Sequence, residues 1–203
     1  LTPMMQQYRE LKRRYPDYLL LLRLGDLCEM FFQDAQLGAR LLQITLTARQ
    51  DAPMAGIPHH AADTYIGRLI RQGQKVAVCE QMEAPVKGKK LVRREVVRVI
   101  TPGTLTDTQF LDGASNNYLL AAQRAGGTLG LALGDVSTGE FWVGEDAGGA
   151  EGLLEAGLLR RPAELLISAE GDAALRGRLA ALGIPLTIGD AGWFRKDGAR
   201  ESL

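Results

Sequence analysis

Five consecutive apolar residues, Tyr18-Leu19-Leu20-Leu21-Leu22, stand between Pro16 and Gly25, and this run limits the fold more than any other stretch. It is too short for a helix that follows a proline and shows no polar alternation, so it predicts a strand buried on both faces. Beyond Gly25, Asp26 followed three residues later by Glu29 has the spacing of a capping box, and Met30, Phe31, Ala35, Gly38 and Leu42 recur at helical intervals. The pattern predicts a helix that starts where the strand ends, with Leu27, Cys28 and Glu29 in its first turn.

The flanking segments fit the same architecture. Thr2 before Pro3, with Met4, Tyr8, Leu11 and Tyr15 on one stripe, predicts a helix ending before Pro16. Ile44–Arg49 alternates and reads as a strand, 53–58 as a proline-bounded turn, and 61–72 as a helix stopped by Gly73. Strands are predicted over 75–81 and 92–100, joined by a basic loop. The order α-β-α-β-α-β-β gives a mixed α/β domain over residues 1–105. A polar linker follows over 106–115. Residues 116–203 then read β-β-β-α-β-α-β: strands at 116–124, 128–136 and 139–143, a helix carrying Leu153, Leu154, Leu158 and Leu159 stopped by Pro162, a strand at 165–167, a helix at 173–182 and a strand at 186–188.

Charge separates the halves although the 203-residue total is zero. Residues 1–105 hold 16 Lys or Arg against 10 Asp or Glu, and residues 106–203 hold 8 against 14, so a polyanion is expected to meet the first half and protein the second. The longest apolar run is far short of the roughly 20 residues of a membrane span, and no signal pattern opens the chain, so a soluble cytosolic protein is expected. Cys28 and Cys79 form no Cys-x-x-Cys pair, so neither a disulfide framework nor a zinc site is indicated.

The stretch Gly25-Asp26-Leu27-Cys28-Glu29-Met30-Phe31 resembles the strand-to-helix motif Gly-Asp-Phe-Tyr-Glu-Leu-Phe of the mismatch-recognition domain of the MutS family. The likeness continues, in family order, through Thr2-Pro3-Met4-Met5-Gln6-Gln7-Tyr8, Pro53-Met54-Ala55-Gly56-Ile57-Pro58, Val78-Cys79-Glu80-Gln81 and Val97-Arg98-Val99-Ile100-Thr101-Pro102-Gly103-Thr104. The second half's element order is similar to the ribonuclease H-like fold of that family's connector domain. The resemblance implies the N-terminal fragment of a bacterial, nucleoid-associated mismatch repair protein that binds double-stranded DNA with mispairs or small loops. It further implies a dimeric parent that contacts a MutL-like repair protein, possesses an ATPase region using ATP and Mg outside these residues, and has no membrane partner. The fragment itself carries no Gly-x-x-x-x-Gly-Lys-Ser/Thr loop and is expected to hold no cofactor and catalyse nothing.

Leu27 stands where the family has its wedging Phe and Cys28 where it has Tyr, while Glu29 is kept. Leu is among the side chains that prise base steps apart, but it lacks the ring whose stacking is worth about 1–3 kcal/mol per base. The alternative is a core leucine sharing a helical stripe with Met30 and Phe31. Glu29 is either the helix cap or an acceptor for a mispaired base that penalises intact DNA. Leu24, Arg49, Pro53 and Met54 are expected beside the DNA, and Lys87, Lys89 and Lys90 are expected either to contact phosphate or to solvate a hairpin loop. His59 and His60 are expected to start a helix rather than bind metal.

Two rivals keep the fold. In one, the protein is a relative that does not scan mispairs. In the other, Asp135, Glu140, Glu145 and Asp172 converge as a metal-dependent nuclease site.

Overall fold

The computed structural model describes residues 2–83, 92–107, 110–111, 113, 115–148 and 150–197. They fall into two compact units, Leu1–Thr101 and Pro102–Leu203. In the first, α1 (Pro3–Arg14) starts where Thr2 accepts a hydrogen bond from the Met5 amide at 3.4 Å and ends with Lys12, Arg13 and Arg14 against its negative pole. Strand β1 (Leu19–Leu24) follows, then β2 (Leu27–Phe31) and α2 (Phe32–Leu42). After these come β3 (Thr47–Arg49), β4 (Ala52–Pro58), a 3-10 turn at His59–Ala61, α3 (Ala62–Arg71), β5 (Val76–Gln81) and β6 (Arg94–Ile100). The six strands form one mixed sheet in the order β3-β4-β2-β1-β5-β6, with β1 and β5 parallel and the other neighbours antiparallel.

Two expectations are corrected here. The helix predicted from Asp26 starts only at Phe32, because 27–31 is a strand with a ladder on each side, and the capping box does not form. Leu24 pairs with Leu27 across the two-residue loop Gly25-Asp26, and Gly25 at φ +63° with Asp26 at negative φ matches a type II′ hairpin. Gly and Asp serve a tight hairpin as well as they serve a strand stop and a cap, so spacing alone chose wrongly. The second correction is β4, where a turn was expected between Pro53 and Pro58. The β2–β4 ladder runs from Leu27–Pro58 to Phe31–Met54, so Pro53 lies one residue beyond it and Pro58 closes it. Proline is tolerated at a ladder end such as that of Pro58, and Pro53, opposite Ala48, pairs only with the short edge strand β3. The strand expected over 44–49 shortens to β3.

Because strand side chains alternate, β1 and β2 each serve both faces. Leu20, Leu22 and Phe31 join Met5, Tyr8 and Leu11 of α1 in one core cluster, with Tyr8 and Phe31 edge to face at 5.3 Å. On the opposite face Met30 lies under Gly38 of α2, where an added Cβ would collide with its sulfur. The carboxylate of Asp34, buried at the start of α2, ties the layers together. It accepts from the Tyr8 hydroxyl (2.7 Å), Lys12 Nζ (2.8 Å) and the Leu20 amide (3.2 Å).

The second unit carries β7 (Leu119–Ala125), β8 (Thr128–Asp135), β9 (Glu140–Asp146), α4 (Ala150–Leu159), β10 (Glu164–Ser168), α5 (Ala173–Ala180) and β11 (Leu186–Gly189). The sheet order is β11-β10-β7-β8-β9, with β7–β9 an antiparallel meander and β10 and β11 parallel to β7. This is the ribonuclease H-like arrangement expected from the element order. Leu120, Leu129, Leu131, Leu133, Leu165 and Ile167 pack with Leu154, Leu175 and Leu179 in its core.

Candidate nucleic-acid interface

The β1–β2 hairpin puts Leu27, Glu29 and Phe31 on the face that α1 covers, but only Phe31 reaches under the helix. Leu27, first residue of β2, is 43% exposed, so it is not the core leucine of a helical stripe. Glu29 is only 6% exposed, and its Oε2 accepts from Arg49 Nη1 at 3.1 Å. The carboxylate is therefore an acceptor engaged with a cation across the sheet, and not a helix cap.

Register explains how Arg49 reaches it. Glu29 faces Gly56 on β4, and Arg49 faces Ala52 across the β3–β4 turn, Gln50-Asp51. Both turn residues have positive φ, 51° and 63°, as a two-residue type I′ hairpin requires, although neither is a glycine or asparagine. Gly56 leaves the surface beside Glu29 low: a Cβ there would stand 3.6 Å from Glu29 Cγ. A side chain at 56 would roof the carboxylate.

The other expected residues fall on both sides of this point. Leu24 pairs with Leu27 and is half-buried, as are Pro53 and Met54 at the far end of β4, and Arg49 is exposed. Lys87, Lys89 and Lys90 lie outside the described residues. Sequence reasoning counts Arg94 among the cations of the basic loop, to solvate it or meet phosphate; instead it is buried on β6, where its guanidinium donates to the Arg23 carbonyl (3.2 Å), Gln7 Oε1 (3.2 Å) and the Val92 carbonyl (3.1 Å). Burial pulls Arg94 below its ordinary pKa, and the charges of Cys79 and Glu29 oppose that pull. Nothing in the local pattern distinguishes Arg94 from the basic residues around it. Gly56 was within reach, since a glycine inside an apolar strand pattern marks a close approach.

Behind Leu27, Cys28 Sγ lies 3.5 Å from His59 Nδ1, and the His59 amide donates to the Asp26 carbonyl at 2.8 Å, which fixes the hairpin tip to the turn leading into α3. Burial, with the charge of Glu80, pushes the Cys28 thiol up to about 11, so it is not a nucleophile near neutral pH.

Three of the four acidic candidates of the second unit are committed to other partners. Asp135 accepts from Ser137, Thr138 and the Asn117 amide at the β8–β9 turn, and these bonds hold its carboxyl below the usual range against the cost of burial. Glu140 accepts from Tyr118 and Asn116, and Asp172 caps α5. Among the described residues no three His, Cys, Asp or Glu side chains converge as a metal site. No helix among them is long and apolar enough to cross a membrane.

Residues 2–109 match the family model for MutS domain I. The DNA mismatch repair protein MutS of Brevibacillus brevis is 49% identical over 195 residues, covering 94% of this chain and 22% of that protein. MutS of Alkaliphilus metalliredigens is 54% identical over 150 residues (71% and 17%), and that of Syntrophobacter fumaroxidans is 48% identical over 211 residues (100% and 24%). The chain thus spans about a fifth of the length of the curated relatives it matches.

Proposed function

The chain belongs to the MutS family of DNA mismatch repair proteins, and from that premise we propose that its first unit reads mispaired duplex through Leu27 and Glu29. One observation carries this: an exposed leucine and, two residues on, a carboxylate held by an exposed arginine share one sheet face, beside a glycine that leaves the surface low. Mispaired steps unstack and kink at lower energy than paired ones. A wedge with an acceptor beside it turns that difference into affinity. Leu27 enters from the minor groove, Glu29 accepts a hydrogen bond from a base that no longer pairs, and Arg49 with the cations of the 87–90 segment meets phosphate, which adds affinity but no sequence information.

The wider assignments belong to the whole protein. It would hydrolyse ATP with Mg in a region outside these residues, act as a dimer and contact a MutL-like repair protein.

The test is affinity for duplexes with and without a mispair. Wild type should prefer the mispaired duplex, Leu27→Ala and Glu29→Ala should reduce the preference, and Leu27→Phe should raise it by the stacking energy of about 1–3 kcal/mol, roughly 5- to 150-fold. Equal affinity in wild type with preference restored by Leu27→Phe would instead identify a relative that does not scan, a possibility the missing ring specifically raises.

A further inference from the structure

The pairing of Glu29 with Arg49 asks for more than an acceptor facing a base. A carboxylate this buried needs a compensating cation, and the described structure supplies Arg49 at 3.1 Å, with the more distant charge of Arg94 beside it. Arg94 is buried and held by the Arg23 carbonyl, Gln7 and the Val92 carbonyl. Arg49 is placed differently. It is the last residue of a three-residue outer strand whose residues are all exposed, and its own side chain is 48% exposed, so its guanidinium can swing outward without breaking a core contact.

We infer that Glu29 and Arg49 form an exchange latch that couples base reading to phosphate binding; this rests on the mismatch-reading role proposed above. On a matched duplex the bases are satisfied by their own pairs, Glu29 has no donor to accept from, and it stays on Arg49. The guanidinium then remains occupied and contributes nothing to the phosphates. On a mispaired duplex an unstacked base donates to Glu29 in place of Arg49, and the charge of Arg94 remains beside the carboxylate. Arg49 is released to a backbone phosphate, whose geometry suits its two parallel N–H donors. Affinity for the mispair therefore rises at two points, and the second point is electrostatic although the information came from a base. Arg49 is a positioning residue in the first state and a phosphate contact in the second.

The signature is in the salt dependence. Each phosphate contact makes the slope of log K against log salt more negative by about 0.9. Binding of the chain to a short duplex with one G·T mispair should show a slope about 0.9 steeper than binding to the same duplex fully paired. Arg49→Ala and Glu29→Gln should each bring the two slopes together, and the double variant should show no further change. Glu29→Gln is an isostere that keeps the shape of the site, and its circular dichroism melt verifies the fold. A wild type that prefers the mispair with equal slopes, or a slope difference that survives Arg49→Ala, overturns the latch and leaves the mismatch reading standing. A wild type with no preference at all removes that reading, and the latch with it.

Discussion

Replacing Asp34 by alanine should destabilise the first unit more than replacing the exposed Leu27 or Arg49 by alanine. The carboxylate satisfies three donors at once, and they respond differently to its loss. The Leu20 amide, on a fully buried strand residue, loses its Asp34 partner, which costs about 1–3 kcal/mol. Tyr8 keeps only a 3.4 Å contact to the Phe31 carbonyl, and losing a hydrogen bond to a charged partner costs about 1.5–3 kcal/mol. Lys12 still donates to the Tyr18 carbonyl at 2.7 Å and is partly solvated, so its share is small. The sum is about 2.5–6 kcal/mol, which brackets the cost of about 3–5 kcal/mol found when one partner of a buried ion pair is removed, against a total of about 5–15 kcal/mol for a domain. Asp34→Asn should lose most of this too, because the amide nitrogen places a donor where donors already converge. Tyr8→Phe should cost about half as much. Urea denaturation followed by circular dichroism measures the change, while both tryptophans, Trp142 and Trp193, lie in the second unit and report on it separately by fluorescence. A loss below about 1 kcal/mol for Asp34→Ala, no larger than a surface substitution gives, would refute the reasoning.

Two further outcomes are expected. The turn residues Gln50 and Asp51 occupy left-handed conformations that suit an Asn-Gly pair better, so combining Gln50→Asn with Asp51→Gly should stabilise by about 1 kcal/mol, seen as a raised urea midpoint at unchanged slope. Burial raises the thiols of Cys28 and Cys79 to about 11 and about 12, whereas an unfolded thiol titrates near ~8.5. The folded state therefore holds these protons longer: their contribution is complete below pH ~8.5 and is lost as pH rises toward the folded values, with the buried Tyr8 phenol adding the same sign at higher pH. Urea midpoints should fall between pH ~8.5 and ~10, less steeply in Cys28→Ala with Cys79→Ala; a flat or rising profile in wild type contradicts the sign.

Residues whose partners lie nearby in sequence were the readable ones. Thr2 and Pro3 announce α1, the Leu19–Leu22 run announces β1, and the alternation through Leu129, Leu131 and Leu133 announces β8. Strand β2 was not readable because its identity depends on β4, which lies beyond α2 and β3 in the chain, and its five residues mix one carboxylate with four apolar side chains. The same separation hid the pairing of Glu29 with Arg49. Both residues were picked out by likeness to a family, yet their contact follows only from the β2–β4–β3 register and the turn between β3 and β4. Arg94 read as one more cation of the basic loop, since burial of an arginine is decided by what stacks around it.

The two-residue loop at Gly25-Asp26 has a consequence for how this surface can change. Inserting or deleting a single residue there would shift β2 by one step against both neighbours, turning Cys28 and Met30 to the α1 side of the sheet and driving the Glu29 carboxylate toward the apolar layer that holds Gly38. Variation of this surface must therefore come through replacement of side chains at fixed length, with the tip acting as a ruler whose marks cannot be moved.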